Sequence, residues 1–215
     1  MRSKWFPLVI VIAMLAFGAV IYNQLPEQVP AHWDINGQVD RMQPRLMGVL
    51  FLPAMVLLIW AIRDAAPRLD PRRNTYPLFE GSRMLLLNIV MLFLGLTHVV
   101  SLGTALGWEI NMVQVIGAGV GIMFMAFGNE MRRIQPNWFF GIRTPWTLSD
   151  PTVWRETHIL GGRLFFVLGL VTFAAAFTRP EILLAAIIIS AVLMTAGVFA
   201  YSYLRYRDLN HSLEA

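Results

Sequence analysis

Arg143, Thr144, Pro145 and Trp146 stand together in this chain, followed by Trp154, Thr157 and His158 and preceded by Asn137 and Gly141. Arginine presents a planar fork of five donors, and a rigid Pro turn beside it with an indole next door could hold a carboxylate or phosphate. The alternative for the same residues is a guanidinium on lipid phosphate and tryptophans in an interfacial aromatic belt. His158, close to Trp154 and Thr157, has the side chain that can carry a proton near neutrality, or it can cap a backbone carbonyl. No serine, cysteine or paired carboxylate accompanies it in a catalytic arrangement, so an enzyme is not expected.

A second group lies in residues 23–45. Pro30, His32, Trp33, Asp34, Gly37 and Asp40 include possible metal donors, yet their spacing matches no established ligand pattern and only one is histidine. Neither metal nor other cofactor is expected. Asn36-Gly37 is a strong hairpin signal of the two-residue type I′ kind, flanked by the alternating apolar residues Trp33, Ile35 and Val39. Pro26 and Pro30 keep the approach extended. His98 beside Thr97, and Asn88 below it, are polar groups within an apolar run. Their expected role is interhelical hydrogen bonding. Glu130 and Arg133 are spaced to pair at i,i+3.

The elements that must position these groups follow from composition. Of 215 residues, 57% are hydrophobic and only 14% charged, which points to a polytopic membrane protein. A pI near 10 would suggest nucleic acid in a soluble protein. Here the arginines cluster between apolar runs, so lipid and orientation account for them, and no nucleic-acid partner is expected. The absence of cysteine removes disulfides and thiolate chemistry.

Six segments have the roughly 17–25 apolar residues a bilayer requires: about 5–22, 46–62, 84–106, 112–130, 163–178 and 182–203. The first follows Arg2 and Lys4 and reads as a retained anchor. With the N-terminus inside, fourteen of the 17 basic residues fall on the cytoplasmic side, leaving Arg41, Arg45 and Arg179 outside. The positive-inside rule therefore places both termini in the cytoplasm. Pro53 is expected to kink the second helix. Gly117, Gly119 and Gly121 form a small-residue face on the fourth. Asp150 suits an N-cap and Pro151 the first helical position. Their helix, to about Leu160, is expected to lie amphipathically along the inner interface, with Gly161-Gly162 bending the chain into the fifth span.

The expected fold is thus an all-α membrane protein with six transmembrane helices, a short outer hairpin-like loop at 23–45 and an inner interfacial helix. Its expected organisation is a two-helix module at 1–62, a cytoplasmic linker at 63–83 and a four-helix module at 84–215 containing the connector 131–162.

Two signatures add a resemblance. Leu25-Pro26, Val29-Pro30, His32-Trp33, Gly37 and Asp40 resemble an uncharacterised outer-loop domain that often precedes the SdpI module. Asn137, Gly141, Arg143-Thr144-Pro145-Trp146-Thr147-Leu148, Val153-Trp154, Thr157-His158 and Gly161-Gly162 resemble the SdpI signature itself. Arg45, where lysine is the expected residue, departs from the first signature but keeps the charge. The resemblance implies a multi-pass protein of the bacterial cytoplasmic membrane that protects against a secreted peptide toxin and recruits a cytoplasmic transcriptional regulator. Partners would then be membrane lipids, the toxin at the outer loop and the regulator at the connector. The alternative is a small transporter or lipid-binding protein using His98 and Arg143. A polar cavity reaching His98 would favour it.

Overall fold

The computed structural model describes residues 5–214, so Arg2 and Lys4 lie outside the described residues. The order is α1 (Phe6–Ile21), β1 (Gln28–Trp33), β2 (Val39–Pro44), α2 (Arg45–Leu69), α3 (Tyr76–Ala105), α4 (Met112–Met131), α5 (Pro145–Ser149), α6 (Pro151–Ala175) and α7 (Pro180–Glu214). Among the described residues six helices, all but α5, are long and apolar enough to cross a membrane. Val9, Val20, Leu58, Leu170, Val192 and Leu193 are exposed on their outer faces. Helices apolar on both inner and outer surfaces belong in a hydrocarbon solvent.

Contacts between the turns sort the bundle into two ends. At one end the α2–α3 turn touches the α4–α6 connector, because the Trp138 N–H donates to Asp70 at 2.9 Å. At the other end the β1–β2 hairpin meets the starts of α4 and α7. These are called the connector end and the hairpin end.

Helices α1, α2 and α3 share a core of Ile10, Val11, Met14, Val56 and Met91. A second cluster, Ile21, Leu25, Val29, Val49 and Leu102, fixes the base of the hairpin to the same helices. Strand β1 pairs antiparallel with β2 in the register Val29↔Gln43, Pro30↔Met42, His32↔Arg41 and Trp33↔Val39, with irregularities on both sides of His32. The turn is not the expected two-residue type I′. Asn36 does not have positive φ, whereas Gly37 is at +79°. Asp34 organises a three-residue loop: its N–H donates to Gln38 O at 2.8 Å, and Gly37 N–H donates to Asp34 O at 3.0 Å. The Asp34 carboxylate takes the N–H groups of Asn36 and Gln38 at 2.9 and 2.8 Å. A turn followed by a left-handed glycine is the next commonest hairpin solution, and Asp34 selects it.

The closest helix pair is α4 against α6, which run antiparallel. A Cβ added to Gly121 would lie 2.8 Å from Gly169 O, and one added to Gly128 would lie 2.5 Å from Gly162 O. The reciprocal distances, Gly169 to Gly121 O and Gly162 to Gly128 O, are 2.6 and 2.7 Å. Two glycines seven residues apart on each helix thus bring backbone against backbone. Gly117 and Gly119 serve other neighbours, Leu183 with Ala176 and Phe93 respectively.

The structure corrects the expected interfacial helix. Residues Pro151–Ala175 form one continuous helix with no separate segment over 151–160. Gly161 and Gly162 are buried helical contacts against Ile142 and Gly128, so close packing rather than bending explains them. Helix α2 likewise runs through Pro53 and Pro67 to Leu69, past the expected end of its span.

Candidate functional site: the latched connector and the hairpin clefts

The connector begins with a turn built around Asn137, which is fully buried. Its Oδ1 accepts the N–H groups of Phe139 and Phe140 at 2.8 and 2.6 Å. Its Nδ2 donates to Gln135 O and Phe140 O at 2.8 and 3.0 Å. All the hydrogen-bonding capacity of the amide is thereby directed to the local backbone. Gly141 follows at φ +95°, and a Cβ there would sit 2.4 Å from His158 Nε2. Glycine is needed for both reasons.

His158 is fully buried and clamps the connector to α6. Its Nδ1 lies 2.7 Å from Trp154 O, one turn earlier. The Ile142 N–H donates to Nε2 at 3.0 Å. That pair of bonds requires the neutral tautomer with its proton on Nδ1, so both nitrogens are engaged. The ring stacks on Trp154 at 4.1 Å and 19°. The buried Trp154 indole donates to Ile134 O at 2.8 Å.

Thr144 caps the short helix α5. Its hydroxyl accepts from Thr147 N–H at 3.1 Å, while Thr147 Oγ1 accepts from Thr144 N–H at 2.9 Å. This reciprocal arrangement is a capping box with threonine at both ends. The Thr147 hydroxyl also lies 2.9 Å from Ile142 O, and the Thr144 hydroxyl 3.1 Å from Ser202 on α7. Pro145 occupies the first turn of α5. Asp150 then caps α6 by accepting from Thr152 and Val153 N–H groups at 2.7 and 2.9 Å, as the Asp-Pro pair predicts.

Arg143 and Trp146 do not form one clamp. The exposed Arg143 donates through a terminal nitrogen to Trp138 O. Trp146 instead packs edge-on against Phe199, at 4.8 Å, and against Tyr203. Thr157 is buried, with its hydroxyl unpartnered among the described residues.

The sequence reading missed the other half of this latch. Asp70 is buried and accepts from Tyr76 hydroxyl at 2.8 Å, Trp138 N–H at 2.9 Å and Arg72 N–H at 2.7 Å. Arg72 donates to Leu148 O at 2.7 Å, and Thr75 to Pro136 O at 2.9 Å. Asp70-Pro71 was legible as a turn signal. Nothing in the sequence showed that its carboxylate would reach Trp138.

At the hairpin end, His32 and Asp40 are brought together at 2.7 Å, both about half exposed. No group of metal-binding side chains occurs among the described residues. Trp33 lines two neighbouring clefts. One, of about 650 Å³, lies between the hairpin and α4 and α7. The other, of about 330 Å³, lies between the hairpin and α2 and α3. Pro30 is buried and borders the smaller one. A Cβ on Gly37 would approach Val113 at 3.5 Å, so the hairpin tip rests against the start of α4.

His98 is buried in α3, with Nε2 3.2 Å from Met14 O on α1 and its ring edge-on to Phe17. That is the expected interhelical hydrogen bond. Glu130 takes Arg133 at 2.7 Å, as expected, and also Ser82 at 2.6 Å.

The architecture defines a multi-pass helical membrane protein with a β-hairpin over one end and a folded, hydrogen-bonded connector at the other. Residues 133–202, which contain the latch from Asn137 to Ser202, match the SdpI/YfhL protein family, and residues 9–57 match DUF1648, a domain of unknown function. The two matched segments follow one another in the order DUF1648, then SdpI/YfhL, along the chain. It is similar to the immunity protein SdpI of Bacillus subtilis strain 168, with 27% identity over 212 residues covering 99% of this chain and all of that protein. No solved structure matches.

Proposed function

We propose that this chain is an immunity protein of a bacterial cytoplasmic membrane, protecting its host against a secreted peptide toxin. The observation that carries the reading is the full-length similarity to an immunity protein, which includes the connector and hairpin segments. Arginine asymmetry orients the connector and both termini to the cytoplasm and the hairpin outward. The toxin meets the hairpin end. The connector surface around exposed Arg143 offers a docking face for a cytoplasmic regulator.

Binding, not catalysis, is the activity. The two ends communicate through helix packing, because a ligand shifts a conformation only through different affinities for its two states. The transport alternative is the weaker reading: His98 Nε2 is engaged by Met14 O, and the two hairpin clefts are bordered by Thr97 rather than by His98.

The test is expression in a toxin-sensitive bacterium, followed by challenge with a panel of membrane-permeabilising peptides. Survival should rise against at least one peptide. It should fall again in Arg143→Ala, or in Trp154→Phe, at unchanged membrane level. Unaltered sensitivity across the panel would overturn the immunity reading. Full protection by both variants would remove the connector surface from it.

A further inference from the structure

The larger hairpin cleft has a polar mouth and an apolar floor. Its walls are Met112, Val113, Ile116 and Val120 of α4 and Leu183, Leu184 and Ile187 of α7. At a rise of 1.5 Å per residue, Val120 and Ile187 lie roughly 10–12 Å below the hairpin-end starts of their helices, about two helical turns. The mouth is formed by His32, Trp33, Asp34 and Asp40. A volume near 650 Å³ falls within the range of ordinary ligand sites.

We infer that this cleft is the binding site for a short apolar peptide segment bearing a basic group at its hairpin-facing end. The charge at the mouth selects the occupant. Asp34 and Asp40 line it with no arginine or lysine among the lining residues, since Arg41 borders the smaller cleft beyond Trp33. The Asp34 carboxylate is fixed by two backbone donors, and Asp40 by His32. A phospholipid chain in the floor would set its phosphate beside two carboxylates, where like charges repel. An ammonium or guanidinium in the same place gains a charge-assisted hydrogen bond. The apolar floor takes about two turns of a helix that has entered the bilayer, and the hairpin covers the basic end.

The inference deepens the toxin-binding reading by giving the ligand's chemistry and site. The direct test does not depend on protection. A photo-cross-linking phenylalanine analogue replaces Leu184 in the full chain, reconstituted in nanodiscs of phosphatidylethanolamine and phosphatidylglycerol. The probe is a biotinylated amphipathic leucine–lysine peptide, compared with its leucine–glutamate counterpart. The analogue at lipid-facing Leu193, which is 67% exposed, measures background.

Cross-linking of the lysine peptide at 184 should exceed that at 193 and that of the glutamate peptide. It should fall about tenfold with Asp40→Lys, the equivalent of one charge-assisted bond. Ile116→Trp, which fills the floor, should also reduce it. Lipid adducts alone at 184, or equal labelling by both peptides, would overturn the proposal. Protection that survives Ile116→Trp and Asp40→Lys, with no peptide adduct at 184, would overturn the cleft and leave the immunity function standing. Peptide adducts with no protection against any toxin would do the reverse.

Discussion

Replacing Gly128 by alanine tests the backbone contact between α4 and α6. The new Cβ would lie 2.5 Å from Gly162 O and 2.5 Å from Phe166 N, both main-chain atoms that cannot rotate away. Restoring ordinary contact requires the helices to part by on the order of 1 Å, which weakens dispersion contacts along the seam. Overpacking costs about 1–3 kcal/mol, and a backbone obstacle puts this case near 3, about a hundredfold in the folding equilibrium. Gly162→Ala meets the same seam from the other side, 2.7 Å from Gly128 O. Once one Cβ has parted the helices the second finds room, so the double variant should be well short of additive. Gly197→Ala is the control: its nearest neighbour would be Leu164 at 3.8 Å. It should be neutral, or stabilising by up to about 1 kcal/mol through helix propensity. The assay is reversible unfolding in mixed micelles of mild detergent and dodecyl sulfate, followed by helical circular dichroism. A Gly128→Ala effect within about 0.5 kcal/mol of the Gly197→Ala control would refute the packing argument, since uncongested surface changes have that size.

Three further outcomes are expected. Gly141→Ala should expose the connector to limited proteolysis near Arg143 while leaving the helical content unchanged, because it combines a left-handed backbone with a clash at His158. Asp70→Asn should destabilise by about 1–3 kcal/mol in the same unfolding assay, since one amide oxygen cannot serve three donors that a carboxylate serves. Trp146→Ala should speed hydrogen exchange in α5 and in α7 around Phe199 and Tyr203, yet leave exchange at the hairpin unchanged, because its aromatic partners are on α7 at the connector end.

The sequence showed well what depends on composition over many residues. Six apolar helices, the Asp150 cap, the Glu130–Arg133 pair and the interhelical bond of His98 were all legible, because each follows from local spacing or from the cost of burying polarity. Two local readings failed for identifiable reasons. Asn36-Gly37 suggested a two-residue turn, but the Asp34 carboxylate offered its own acceptors and drew the turn one residue earlier. Gly161-Gly162 suggested a bend, but their neighbours are a main-chain carbonyl and Ile142 from distant segments. The Asp70 contacts were hidden for the same reason: Asp70 and Trp138 meet only after three helices have packed.

The latch also divides its residues by how freely they can change. Asn137, Trp154, Thr75 and Arg72 give donors from particular side chains, yet the acceptors they meet at positions 134, 135, 136, 140 and 148 are carbonyls that any amino acid supplies. The bonds make no demand on the side chains at those acceptor positions, but Ile134, Phe140 and Leu148 are held separately by their packing around Trp154 and Tyr76. Residues 135 and 136, outside that cluster, are thus where the connector's sequence is free to drift without loosening its hold on the bundle.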